Sequence, residues 1–359
     1  MTASENFGTI SERYAAVLEN AKRTIRPICN VCKICNGVAC TGYGTTNMYM
    51  GGKGANTAFQ NNFRSLSKIR IKTDVIHESY TPDTSISLFG HVFSLPVFAA
   101  PIGKFLVDCK LDSPYFNNNE LYAEALIRGC RAAGGMAWLG DNLQEGYFEG
   151  QIKTLKEYDG VGIPTIKPWA DPDLFLKRVH AAEAVGAIAV AVDLDSIGLS
   201  YQSTNAVGVR SRSAEELRDI IKQSPMPVIV KGVLSAKTAE KAASAGVAGI
   251  VVSNHGGNVI EHSENPCDVL PDIRQAVGPD LIVFADGAVR SGEDVFKLIA
   301  LGANAVLIGR PYNVSVYGGG ADGAEIYTRK IKWELENIMS LANCRSLQEI
   351  TKEHISTCG

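Results

Sequence analysis

His255 is the residue in this chain best set for proton chemistry. It closes the β-branched run Ile250-Val251-Val252 through Ser253-Asn254 and precedes Gly256-Gly257. An imidazole titrates near neutral pH, and the two glycines let the backbone turn sharply behind it. Lys231 ends a second run, Val228-Ile229-Val230, where an amine can hold an anionic group or form a Schiff base. Asp193 ends a third, and either orients and charge-stabilises the imidazole or caps a helix. Asp286-Gly287 with Arg290, and Gly309 with Arg310, each bring glycine and arginine to a helix start. Backbone N–H groups at such a start bind phosphate, and arginines add charge-assisted hydrogen bonds. The competing reading is that both arginines form surface ion pairs.

Four of the nine cysteines, Cys29, Cys32, Cys35 and Cys40, fall within twelve residues. Their spacing is close to that of iron–sulfur ligation and of compact zinc sites. The last interval is one residue longer than in the bacterial ferredoxin run, and no proline follows the last cysteine. An iron–sulfur cluster, a zinc ion, and free or redox-active thiols all stay open.

The elements that must position these groups begin at residue 96. Eight short apolar runs alternate with helical stretches: Pro96–Ala100, Gly135–Leu139, Thr165–Trp169, Ile188–Asp193, Val228–Lys231, Gly249–Ser253, Leu281–Asp286 and Ala305–Ile308. The helices carry end signals, such as Asp171-Pro172 at one start and Gly186 at its end. Alternation of this kind predicts parallel βα units. Eight units over 96–342 suit a (β/α)8 TIM barrel, an α/β fold of roughly 250 residues. An open doubly wound sheet would need a Gly-rich first turn, which is absent after Ala100. Residues 1–95 form an N-terminal extension with a helix, the Cys-rich loop and small strands, and 343–359 form a tail. In a barrel the chemistry sits at the C-terminal strand ends. Those ends are Pro101 to Lys104, Gly140-Asp141, Lys167 to Trp169, Asp193 to Asp195, Lys231-Gly232, Ser253 to His255, Asp286-Gly287 and Gly309-Arg310.

A net charge of −3 with 45% apolar residues argues for a sizeable core and against nucleic-acid or membrane-surface partners. No apolar run reaches the length of a membrane span, and the N-terminus lacks the pattern of a signal peptide. A cytoplasmic protein with a small-molecule substrate is expected, and in that compartment a disulfide framework is not.

Val228–Val233, Val252–Gly257, Ala285–Phe296 and Leu301–Pro311, with Cys344–Ile350, Leu95–Pro101 and Gly54-Ala55-Asn56, resemble the FMN-dependent α-hydroxy acid oxidase and dehydrogenase family. The resemblance runs from about residue 50 to 356 and is strongest in the C-terminal half. It implies FMN, held at Ala100, Pro101, Gly140, Thr165, Lys231, Ser253 and Asp286, with its phosphate at Gly287, Arg290, Gly309 and Arg310. It implies that Lys231 lies beside the N1/O2 edge of the ring. It also implies that His255 takes the substrate proton as electrons pass to N5, and that Asp193 stabilises the imidazolium. A homo-oligomer, a tetramer, follows from the same resemblance. A cluster at the cysteines would suit one-electron transfer to an acceptor protein.

Departures from the family pattern fall on the substrate side. The arginine expected after His-Gly-Gly is Asn258, and a second falls near Ser200. The strand-three tyrosine matches Lys167, and the N-terminal tyrosine falls near Met50, with Tyr49 beside it. Loss of an arginine clamp removes roughly 1.5–3 kcal/mol per charged hydrogen bond to a carboxylate. Either Lys167 or Lys104 replaces the clamp, or the substrate is not a simple 2-hydroxy acid. An isomerase or double-bond reductase on the same fold is the alternative reaction class.

Overall fold

The computed structural model describes residues 7–26, 28–40, 50–103, 111–116, 118–142, 144, 146–199 and 208–357. In chain order, α1 (Phe7–Ile25) and α2 (Thr57–Lys68) precede β1 (Ile69–Ile71) and the hairpin strands β2 (Ile86–Leu88) and β3 (His91–Phe93). The barrel strands are β4 (Val97–Ala99), β5 (Met136–Leu139), β6 (Ile163–Ile166), β7 (Val190–Asp193), β8 (Val228–Val233), β9 (Gly249–Val252), β10 (Ile282–Ala285) and β11 (Ala305–Ile308). Among the described residues these eight pair in parallel and close on themselves, with β11 beside β4. This is the (β/α)8 barrel that the alternation of runs predicts.

The strands carry long apolar runs because both their faces are covered. One set of side chains, including Phe98, Trp138, Ile229, Val251 and Phe284, fills the barrel interior. The other packs outward against the helices: α3 (Asn119–Ala132), α4 (Tyr147–Lys156), α5 (Pro172–Glu183), α6 (Ala214–Gln223), α7 (Ala236–Ala245), α8 (Pro266–Val277), α9 (Gly292–Ala300) and α10 (Arg310–Leu341). The β2–β3 hairpin lies under the interior, with Leu88 and Phe93 in the same cluster as Phe98.

The extension is tied to the barrel at three places. α1 lies on α10, where a Cβ at Gly318 would stand 2.2 Å from the Val17 carbonyl oxygen. β1 pairs antiparallel with β12 (Ile355–Thr357), so extension and tail meet in one small sheet. α2 packs beside the turn that follows β9. Among the described residues no helix is long and apolar enough to cross a membrane.

Candidate active site

Asp193 and Lys231 are register partners at the ends of β7 and β8. The Lys231 ammonium lies 3.1 Å from Asp193 Oδ1, and Lys167, at the end of β6, places its ammonium 3.7 Å from Asp193 Oδ2. His255 follows β9, its Nδ1 3.2 Å from Lys231 Nζ and 3.6 Å from Asp193 Oδ1. A nearer carboxylate, Asp195 Oδ1, stands 2.9 Å from Nδ1. Burial pushes the Asp193 carboxyl up, but Lys231, His255 and Lys167 outweigh it and hold it well below the usual carboxylate range. Burial pulls Lys231 down, yet Asp193, Asp195 and Asp286 raise it above the usual lysine range. Asp286 is pushed up by burial, which Lys231 and Ser253 offset only in part.

The turn carrying His255 is held in a left-handed backbone. His255 has φ 58°, followed by Gly256 at 62° and Gly257 at 83°. That conformation is unusual for a side chain other than glycine and persists only where the surroundings fix it. Asn254 supplies the fixing: its Oδ1 accepts from Gly257 N–H at 3.2 Å, and its amide pairs with Asn62 of α2. A Cβ at Gly257 would meet Phe59 N at 2.7 Å, so glycine lets α2 approach.

Beside this cluster lies a cleft open to solvent. Ala100, Pro101, Lys231, His255, Asn258, Asp286, Gly287, Arg290, Gly309 and Arg310 all line it, with Met50 and Gly51. Arg290 and Arg310 lie over the Phe59 ring at 5.7 and 4.0 Å. Arg310 donates to the carbonyls of Met50, Gly51 and Gly256. Arg290 donates through Nε to the Cys35 carbonyl at 3.2 Å. Among the described residues neither arginine pairs with a carboxylate, so the surface ion-pair reading does not hold. Burial lowers the Arg310 guanidinium to about 10.

Other positions expected to touch the cofactor sit one layer back. Ser253 donates to Asp286 Oδ2 at 2.7 Å, and Thr165 is buried with no partner for its hydroxyl among the described residues. Gly140 packs on Ile102, where a Cβ would stand 2.5 Å from the carbonyl carbon. Lys167 is buried as the second counter-ion of Asp193 and is absent from the cleft wall. Asn258 donates its amide to the His255 carbonyl at 2.8 Å. Tyr49, Lys104 and Ser200 lie outside the described residues. Asp141, a strand end in the sequence, is a structural anchor here. It accepts from Lys167 N–H at 3.0 Å, from Trp169 Nε1 at 2.8 Å and from Arg178, and so fixes the end of β6.

Cys29, Cys32, Cys35 and Cys40 are free and half-buried in the loop between α1 and α2. Among the described residues, the one group of three or more His, Cys, Asp or Glu with ligand atoms within 4.8 Å of one another is Asp193, Asp195 and His255. Four thiolates around zinc, with Zn–S of ~2.3 Å, would stand closer together than that limit. Among the described residues no three of these sulfurs lie within 4.8 Å of one another, so their placement adds no support to the zinc reading. The Asp193–Asp195–His255 group is itself neutralised by two ammonium groups.

The model of the FMN-dependent dehydrogenase family matches residues 42–209 and 202–357. The chain belongs to this family. It is 29% identical over 348 residues to peroxisomal (S)-2-hydroxyacid oxidase GLO3 of Arabidopsis thaliana, covering 87% of this chain and 91% of that protein. It is 37% identical over 268 residues to an L-lactate oxidase of Lactobacillus jensenii, covering 73% and 60%. A mandelate oxidase variant solved with a monooxide FMN adduct superimposes with a TM-score of 0.72 at 26% identity, over 86% of this chain and 93% of that one. The lactate oxidase structure of Pediococcus acidilactici, at 21% identity and a TM-score of 0.78 over 96% and 94%, shares the fold.

This family member is an FMN-dependent oxidoreductase of the CH–OH type, and its cleft fits the cofactor. Gly287, Gly309 and the first turn of α10 give a small-residue wall with a helix start, the setting an anion needs. Asp286 Oδ1 and Arg290 Nη2 are buried on that wall with no partner among the described residues. Buried polar atoms are seldom left unpaired, and a polar ligand in the cleft gives them one.

Proposed function

We propose that the protein oxidises the hydroxyl-bearing carbon of a small 2-hydroxy acid derivative whose acyl group carries no free carboxylate. The observation that carries the reaction is the placement of His255, backed by carboxylates and Lys231, on the wall of a cleft with a phosphate-type end. Bound there, the flavin supplies a two-electron acceptor.

The chain's own residues supply the proton chemistry. The carboxylates engage His255 Nδ1, which leaves Nε2 as the nitrogen that accepts a proton from substrate. Asp193 stabilises the imidazolium so formed. While Nδ1 carries its hydrogen it cannot accept from Lys231, so the ammonium donates to Asp193 and keeps its charge at the cleft. The substrate clause rests on Asn258, a neutral amide on the cleft wall. Asn258 can read a carbonyl but gives a carboxylate no charge partner.

Anaerobic bleaching of the bound flavin tests this. Amides and esters of lactate and mandelate should bleach it faster than the free acids. Faster bleaching by the free acids would overturn the substrate clause. Bleaching by NAD(P)H but by no hydroxy compound would overturn the reaction class.

We further infer that the cysteines at 29, 32, 35 and 40 ligate an iron–sulfur cluster that passes electrons to an acceptor protein. Their spacing supports this, and so does the attachment of their loop to the cleft arginine Arg290 through the Cys35 carbonyl. Iron and acid-labile sulfide in anaerobically purified protein should be found in about equal amounts, and their absence would remove the reading.

A further inference from the structure

We propose that Asp195 is the residue that positions His255, while Asp193 serves the two lysines. This rests on His255 being the base.

Both Asp193 oxygens face ammonium groups, Oδ1 toward Lys231 at 3.1 Å and Oδ2 toward Lys167 at 3.7 Å. Its distance to His255 Nδ1, 3.6 Å, is beyond a good hydrogen bond. Asp195 Oδ1 stands at 2.9 Å from the same nitrogen, a normal hydrogen-bond length. Lys231 lies 3.8 Å from Asp195, too far to compete for that oxygen. Asp195 Oδ2 is buried and without a partner among the described residues, so there the carboxylate is committed to His255 through Oδ1.

The backbone makes room for this carboxylate. Asp195 lies in the short helical turn Leu194–Gly198, directly after β7. Gly232, next to Lys231 on β8, has φ 96°, and a Cβ there would stand 2.5 Å from both Cβ and Cγ of Asp195. A β-bulge between Lys231 and Val233 falls at the same glycine. A side chain at 232 would therefore expel Asp195 from its place beside the imidazole.

The charges balance in the same way. Two ammonium groups, Lys167 and Lys231, face two carboxylates, Asp193 and Asp195. With both carboxylates present, the imidazole can take a proton opposite negative charge. Without Asp195, it would do so beside the same two cations with one carboxylate fewer.

The test uses FMN-loaded full-length protein labelled with 15N-histidine, with the His255→Gln spectrum assigning the signal. In the wild type, Nδ1 should carry the hydrogen and Nε2 should be bare. Asp195→Ala should shift the ring to a mixed or Nε2–H tautomer, and Asp193→Asn should keep the wild-type tautomer. Gly232→Ala should reproduce the Asp195→Ala spectrum with the aspartate still present. Flavin content and absorbance show that each variant is folded and loaded. A tautomer lost in Asp193→Asn and kept in both Asp195→Ala and Gly232→Ala would overturn the proposal. In stopped flow with lactamide, Asp195→Ala should lower the limiting rate of flavin reduction about 10²-fold with little change in apparent Kd. If the wild type reduces its flavin with no hydroxy compound, the functional reading fails, and the tautomer measurement still decides Asp195.

Discussion

Asn62 and Asn254 exchange two side-chain amide hydrogen bonds, at 2.8 and 2.7 Å, inside the protein. The pair joins helix α2 of the extension to the turn that presents His255. The extension is thus hydrogen-bonded to the turn in which His255 takes a left-handed backbone conformation. Asn62→Ala removes both bonds while Asn254 keeps Gly257 N–H, Ser263 and the Glu264 carbonyl, so the cost is about 0.5–1.5 kcal/mol per bond lost. The expected outcome is that loss of stability in urea unfolding, with slower flavin reduction and unchanged FMN content. Full activity in Asn62→Ala would show that α2 does not position the base.

His255→Ala should leave FMN bound and stop its reduction by substrate. General-base catalysis contributes about 10²–10⁴-fold, so single-turnover reduction should fall by that factor. Photoreduction of the same flavin should remain normal. Reduction at the wild-type rate would remove His255 from the mechanism.

Much of this architecture is legible in the sequence, because short continuous β-branched runs such as Val228–Val230 and Ile250–Val252, alternating with helical stretches, suit strands covered on both faces. His255, Lys231 and Asp193 fall at the ends of such runs, and spacing brings them to one rim. What the sequence does not show is which of two neighbouring aspartates meets the imidazole. That depends on a bulge at Gly232 and a turn after β7, which are three-dimensional facts. Asn62 is hidden for a similar reason: it lies 192 residues from its partner in an ordinary amphipathic helix. The cysteines have the spacing of a ligand set, yet among the described residues no three of their sulfurs lie within 4.8 Å of one another, and spacing alone does not show that.

Among the described residues, Arg290 keeps one guanidinium nitrogen without a partner on the cleft wall. A phosphate there would take a charge-assisted hydrogen bond of roughly 1.5–3 kcal/mol. Arg290→Ala should therefore weaken FMN binding about tenfold to a hundredfold, measured as flavin released on dialysis. The isotope effect on flavin reduction should not change in the fraction still loaded. Retention equal to the wild type would place the phosphate elsewhere.

Asp193 makes acid stability a test of the cluster. Its folded value lies below its unfolded value, so its contribution is present above the unfolded value of about 3.9 and lost as pH falls through the folded one. Asp193→Asn leaves Lys231 and Lys167 without their shared carboxylate, at about 3–5 kcal/mol for a broken buried pair. Unfolding followed from pH 7 to pH 2 should show a large gap between wild type and variant at neutral pH. Below about pH 4 the gap should narrow. A gap that stays constant down to pH 2 would show that Asp193 does not remain ionised through pairing.

Asn258 offers a gain-of-function test. Its amide donates to the His255 carbonyl at 2.8 Å and presents no charge to the cleft. Asn258→Arg would add a guanidinium where the family pattern has one. A charged hydrogen bond to a carboxylate, at roughly 1.5–3 kcal/mol, converts to about a tenfold to hundredfold gain. The ratio of kcat/KM for lactate to that for lactamide should rise by that factor, with the gain mainly in KM. If the variant binds FMN and its ratio does not change, position 258 does not face the acyl group of the substrate. The preference for an uncharged acyl group would then have to come from another wall of the cleft.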